Sequence, residues 1–208
     1  MPNRSWLLLA TRNPGKLREL RALLAGLPLR LLTPADLNLH EPTEEKGLDY
    51  AQNAGLKARA LAHASGLWTL ADDTGLEVEA LGGAPGVRSA RLVSEQGTDA
   101  ERRARLLELL AAHPPPWPAH FRTCLALSDP KGKLEVAEGA CSGEIVAQAR
   151  GTGGFGYDPV FLVAGTGKTM AELTLDEKNR VSHRAAAVRA LLPILRRRLG
   201  LPPEAGSA

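Results

Sequence analysis

Unbroken apolar runs and apolar residues at three-to-four spacing alternate along the chain, and their order predicts its elements. "WLLLA", Trp6 to Ala10, is a short continuous run of the kind shown by a strand buried on both faces. After the turn-forming "TRNPGK", Leu17, Leu20 and Leu24 recur on one face and predict a helix over "KLRELRALLAGL". "LRLLT" predicts a second strand. Beyond the loop "PADLNLHEPTEEKG", a helix is expected from about Leu48 to Ser65, with Gly66 as its stop and Ala51, Ala54, Ala58 and Ala62 on its packed side.

In the next stretch, "LWTLA" and "LEVEAL" predict strands flanking a turn at "DDTG", while "GGAPGVRSA" is too rich in Gly and Pro for either regular element. Thr98 and Glu101 stand at capping-box spacing and open the helix "TDAERRARLLELLAAH", which "PPPWP" stops. "HFRTCLALSD" and "KLEVAEGACSGEIVAQA" read as long strands around a "DPKG" turn, and "PVFLV" as another strand. "LTLDEKNRVSH" begins a short helix and "RAAAVRALLPILRRRL" a long one. Strands alternating with helices at the start, and a hairpin in the middle, predict an α/β fold with a mixed sheet. One two-lobed domain over residues 1–200 and a flexible tail over 201–208 are expected, with no internal repeat.

Composition narrows the class. At 208 residues with 44% apolar content, the chain can bury one good-sized core or two small ones. No apolar run approaches the roughly 20 residues that span a bilayer, and "SWLLLA" is too short for a signal-peptide core before Arg12 interrupts it. A soluble, cytoplasmic protein without a membrane partner is expected. Cys124 and Cys141 lie in apolar, strand-like surroundings without His or Cys at metal-ligand spacing, so both read as buried thiols. A net charge of +3 does not require nucleic acid but suits an anionic ligand, and part of it lies in Arg196 to Arg198 at a solvated helix end.

The stretch "GTGGFGYDPVF", Gly151 to Phe161, satisfies two phosphate-loop spacings at once. Its context denies both. A dinucleotide fingerprint needs a helix after it, whereas Pro159 and a β-like "VFLV" follow. The Lys and Ser/Thr positions of the other motif are filled by Tyr157 and Asp158, and a carboxylate there repels phosphate. Phe155 between glycines, followed by a carboxylate able to accept from ring N–H groups, is instead an inventory for a flat base. A tight turn whose Phe plugs the core uses the same residues.

Phosphate is better served by "TRNPGK". There Thr11, Asn13, Lys16 and free N–H groups at a helix N-terminus can converge on an anion. Asn53 and Lys57, four apart, share a helix face. Glu41, Glu44 and Glu45 before that helix, and Asp72 and Asp73 at a strand end, could hold Mg²⁺; helix-start charge and a β-turn explain the same residues. Lys178, His183 and Arg184 could bring donors to one carbonyl or phosphate, or form a basic stripe at a helix end.

Taken in order, these segments resemble the inosine triphosphate pyrophosphatase family, which hydrolyses noncanonical purine nucleoside triphosphates. "LLLATRNPGKLREL", "EEKGLDYAQNAGLKA", "LADDTGLEVEALGGAPGVRSARL", "GTGGFGYDPVF" and "MAELTLDEKNRVSHRAAA" each look like a signature of that family, and together they span about residues 7 to 187. The resemblance implies an elongated α/β fold with a long mixed central sheet flanked by helices, an active-site cleft between two lobes, and a homodimer. It also implies Mg²⁺-dependent conversion of ITP, XTP and their deoxy forms to the monophosphate and pyrophosphate.

Carried over position by position, Thr11, Arg12, Asn13, Pro14, Gly15, Lys16, Asn53 and Lys57 would grip the triphosphate. Glu45, its neighbour Glu44, and Asp73 would serve the metal, with Asp73 also on the general-base position. Thr74 would contact substrate, Phe155, Gly156, Tyr157 and Asp158 would form the base pocket, and Lys178, His183 and Arg184 would complete it. Lys46 and Gln52 depart from the family's usual residues beside the site. Two other readings stand beside this one. The first is a broader nucleotide pyrophosphatase acting on modified pyrimidine or other damaged nucleotides. The second is a non-catalytic nucleotide- or RNA-binding module, which leaves Glu45 and Asp73 without a task.

Overall fold

The structure is a computed structural model that describes residues 5–39, 47–94 and 96–203. It is an α/β chain with a mixed sheet flanked by helices, as the alternation of patterns predicts. Strand β1, Ser5–Leu9, is followed by helix α1, Pro14–Leu24, which starts two residues earlier than its apolar spacing indicates. The reason is local: Asn13 is extended and its side chain accepts the Lys16 N–H at 3.0 Å, while Pro14 fills the first helical position, where no N–H is needed. Strand β2 covers Leu29–Leu32 and helix α2 Tyr50–Ser65; Asp49 caps α2 by accepting from Gln52 N, and Gly66 ends it at φ 70°. β1 pairs in parallel with both β2 and the next strand, β3.

Strand β3, Trp68–Val78, corrects one expectation: "DDTG" is not a turn but the middle of one continuous strand. Local propensity disfavours acids there, and partners on two helices override it. The chain turns only after Val78, through Glu79–Leu81 and a left-handed Gly82, before the two-residue strand β4, Pro85–Gly86, folds back antiparallel onto Leu76 and Glu77. Helix α3, Asp99–Leu110, opens with the expected capping box: Glu101 accepts the Thr98 N–H at 2.7 Å and the Thr98 hydroxyl accepts the Glu101 N–H.

Strands β5, Trp117–Ser128, and β6, Leu134–Ile145, flank the "DPKG" turn, in which Asp129 accepts from Lys131 N and Lys133 N. β7 is only Phe161–Val163, because Asp158–Val160 forms a 3-10 turn ahead of it. Helices α4, Leu175–Val181, and α5, His183–Leu199, complete the chain. The sheet order is β2-β1-β3-β5-β6-β7, with β4 on β3.

Two compact units divide the chain. The first comprises Met1–Asp73, Cys124–Glu138 and Ala187–Ala208. Its main core joins Leu7 and Leu9 of β1 to Leu20 and Leu24 of α1 and to Leu191 and Leu195 of α5. On the opposite strand face, Ala54 and Ala58 of α2 close down on Ala10 and Ala71, small residues that let helix and sheet approach. The second unit, Thr74–Thr123 and Gly139–Ala186, has its own core around Leu106, Leu110, Phe121 and Phe161.

Leu201, the first residue of the expected tail, packs against the first core and its N–H donates to Arg196 O. Arg198 is not simply solvated either, since it pairs with Glu135 of β6.

Both cysteines are buried as predicted, and burial is the main reason that their thiols are pushed up, Cys124 to about 12 and Cys141 to about 11. Both therefore stay protonated throughout the neutral range. Reaction with an aromatic disulfide reagent at pH 8 is expected to release no thiolate dye on the minutes scale from native protein, and the full two-thiol signal after denaturation. A rapid native signal would contradict the buried placement.

Candidate active site

In the first unit, β3 decides where the two adjacent carboxylates go. Side chains alternate across a strand, so Leu70 and Asp72 share one face and Ala71 and Asp73 the other. Leu70 packs with α1 and Ala71 with α2. Accordingly Asp72, 1% exposed, pairs with Lys16 of α1, while Asp73, 7% exposed, takes Lys57 of α2 at 3.0 Å and the Asn53 amide at 3.3 Å. Both lysines also reach the Asp72 carbonyl, Lys57 at 2.9 Å and Lys16 at 3.4 Å, so two ammonium groups converge on one peptide. Buried charges are retained at a cost of several kcal/mol per ion unless paired, and here every one is partnered.

Asn53 is nearly fully buried and acts as a link: its oxygen accepts the Gly47 N–H at 2.8 Å while its amide donates to Asp73. A Cβ on Gly47 would lie 2.7 Å from that oxygen, which accounts for the glycine. Thr11, Arg12, Asn13, Pro14 and Gly15 form the expected junction between β1 and α1. There the Thr11 hydroxyl accepts from Asn13 N at 3.2 Å, Arg12, Asn13 and Pro14 are exposed, and Gly15 is buried. Glu44 and Glu45 lie outside the described residues.

The fit for a divalent cation follows from this geometry. Asp72 and Asp73 point to opposite faces, so the adjacent pair cannot chelate one ion. No group of three or more His, Cys, Asp or Glu among the described residues could do so either. Asp73 alone offers one carboxylate, and Mg²⁺ characteristically takes one or two carboxylates together with substrate phosphate oxygens and water.

In the second unit, the loop "GTGGFGYDPVF" holds Phe155 at its centre. Two cations border the partly exposed ring, Lys178 Nζ at 5.1 Å and the Arg184 guanidinium carbon at 5.8 Å from its centroid. Arg184 is fully buried and donates to the Thr74 hydroxyl at 3.1 Å, and Thr74 in turn bonds the Thr123 hydroxyl of β5. Lys178, 4% exposed, pairs with the equally buried Asp158 at 2.5 Å. The His183 ring stacks on Phe121 with centroids 4.7 Å apart. A solvated basic stripe is therefore excluded for Lys178, His183 and Arg184: all three are buried.

Other loop residues have partners within the protein. Asp158, read from the sequence as an acceptor for a ligand's ring N–H, is already engaged by Lys178 and by the Phe155 N–H at 2.8 Å. The Tyr157 hydroxyl donates to Ser89 O, and burial pushes its pKa up, so it remains a donor. The glycines serve the fold more than ligand approach: a Cβ on Gly154, at φ 69°, would meet the Asp158 carboxylate at 1.9 Å. Asp99, Arg103, Phe121 and Thr123 surround the loop residues or their partners and were missed. No local motif marks them, apart from the one helix face that Asp99 and Arg103 share through their spacing of four.

The first unit thus gathers two lysines on strand carboxylates, and the second borders an aromatic ring with two buried cations. Residues 7–194 match the Ham1 family, and the chain belongs to that family. It is 52% identical over 186 residues to a dITP/XTP pyrophosphatase of Thermus thermophilus, covering 89% of each chain. It is 48% identical over 201 residues to a dITP/XTP pyrophosphatase of Streptomyces coelicolor, covering 93% of this chain and 98% of that one. The solved structure of a HAM1 protein from Coxiella burnetii superposes with a TM-score of 0.84 at 38% identity, covering 93% of this chain and 99% of the other. The resemblance drawn from the ordered segments is thus borne out, as is the fold class. Among the described residues, no helix is long and apolar enough to cross a membrane.

Proposed function

We propose that this protein hydrolyses the nonstandard purine nucleotides ITP, XTP, dITP and dXTP to the nucleoside monophosphate and pyrophosphate. The observation that carries the reading is Asp73, a strand carboxylate held between Lys57 and Asn53 beside the Asp72–Lys16 pair. It joins a proton acceptor to the cations that a triphosphate needs. The names of the relatives support the substrate class.

Release of pyrophosphate requires water to attack the α-phosphorus: a new P–O bond forms, the bond from the α-phosphorus to the bridging oxygen breaks, and the water proton must go to a base. Asp73 accepts that proton. Lys16 and Lys57 take up part of the roughly four negative charges of the triphosphate and aim it in line, the electrostatic part of catalysis that is commonly the larger one. Mg²⁺, held by Asp73 together with Glu45 and Glu44, would draw charge from the phosphate oxygens when bound. At the base end, the N–H groups of Phe155 and Gly156 are already given to carboxylates, so donors for the purine O6 come from side chains, with Arg184 and Lys178 beside the ring. An adenine amino group offers those donors no acceptor, which is the means of rejecting ATP. The same reading makes the protein a cytoplasmic homodimer acting on free nucleotides rather than on nucleic acid.

The test is pyrophosphate release with Mg²⁺ from a panel of XTP, dITP, ATP, GTP and modified pyrimidine triphosphates. XTP and dITP are expected to exceed ATP in kcat/KM by ~10² or more, with loss of activity on chelation. Release of orthophosphate instead of pyrophosphate, or preference for the pyrimidines, would overturn the assignment.

A further inference from the structure

Gly156 lies in the left-handed region at φ 61°, in a loop with three other glycines, Gly151, Gly153 and Gly154, where the backbone has no ladder to hold it. Yet both polar groups of this one residue are anchored by one helix. Its N–H donates to Asp99 Oδ2 at 2.7 Å, and its carbonyl accepts from Arg103 Nη1 at 2.7 Å. Asp99 and Arg103 stand one turn apart on the opening of α3, and the other Asp99 oxygen accepts from Arg102 at 2.8 Å. Charge-assisted bonds of this length are about twice as strong as neutral ones.

On the other side of the Phe155 Cα, the Phe155 N–H is held by Asp158. The backbone is therefore pinned on both sides of the aromatic ring. We infer that Asp99 and Arg103 are positioning residues that fix the Phe155 ring beside Lys178 and Arg184, so that the base docks on a preformed surface. The inference rests on the reading of Phe155 as the base-stacking residue given above. Its physical basis is preorganisation: a loop already ordered before binding spares the ligand the entropy of ordering it. Triphosphate binding, which uses Lys16 and Lys57, is not expected to depend on it.

Arg103→Ala and Arg103→Lys test this with two readouts. Arg103→Ala should speed hydrogen exchange at the Gly156 amide by about tenfold and raise KM for XTP by about tenfold, the loss of one charge-assisted hydrogen bond, with kcat within about twofold. Inhibition by inorganic tripolyphosphate, which has no base, should stay within about twofold of wild type. Arg103→Lys, which retains a donor, should recover part of the KM. Unchanged exchange at Gly156 overturns the clamp, and faster exchange with unchanged KM overturns its positioning role. Equal weakening of tripolyphosphate and XTP reduces the role to general stability. Wild-type protein that releases no pyrophosphate from XTP would sink the proposed function instead, while the exchange measurement still reports on the clamp.

Discussion

Asp73→Asn is expected to lower kcat for XTP by about 10³-fold or more, since general-base help alone contributes ~10² to 10⁴ and the same substitution removes a carboxylate offered to the metal. The variant should fold. Asparagine keeps the shape and an oxygen for the Asn53 amide, and Lys57 retains the Asp72 carbonyl at 2.9 Å, so no ammonium is left stranded. Nucleotide binding, measured calorimetrically, should therefore remain detectable in a protein with a near-normal melting temperature. A kcat close to wild type would remove Asp73 from the chemistry. Loss of both binding and folding would show that its carboxylate serves the structure alone.

The second large effect concerns the buried pair behind the base loop. Asp158→Ala should destabilise the protein by about 3–5 kcal/mol, because it leaves the buried Lys178 ammonium without its carboxylate, and removing one member of a buried pair costs far more than the pair is worth. The double variant Asp158→Asn with Lys178→Met is the informative companion. Asparagine still accepts the Phe155 N–H and methionine fills the lysine's space without charge, so most of the stability should return, while KM for XTP stays elevated because the cation beside Phe155 is gone. Denaturant midpoints and XTP kinetics on the same preparations separate the two effects. Full recovery of both would make Lys178 a structural lysine only, and recovery of neither would place the pair's importance in packing.

Asp158 illustrates how far composition and spacing reach. The carboxylate after "GTGGFGY" was enough to exclude a phosphate loop, because its charge is present whatever the fold. Its pairing was not legible: Lys178, which donates to Asp158, lies twenty residues away. "DDTG" failed for the same reason in the other direction. Its acids argue for a turn only while their partners are unseen, and Lys16, fifty-six residues before the Asp72 it pairs with, is such a partner.

Caps behaved oppositely. Thr98 and Glu101, and Gly66 after α2, act on backbone groups within a turn of themselves, so element ends could be read directly and shifted by only a few residues. Even α1 began early only through Pro14, a residue whose own ring supplies the reason.

What the sequence alone determined was therefore the local and the chemical: which segments form strands and helices, that two cysteines are buried, that the glycine loop is no phosphate cradle, and which family its ordered motifs resemble. What only the tertiary structure decided was which charge meets which. It set Asp72 and Asp73 on opposite faces toward different lysines, buried Lys178 and Arg184 around Phe155, and brought Asp99 and Arg103 to Gly156 across more than fifty residues. Hydrogen bonds within a turn are set by neighbours in the chain, whereas the cost of a buried charge depends on a partner that only folding supplies.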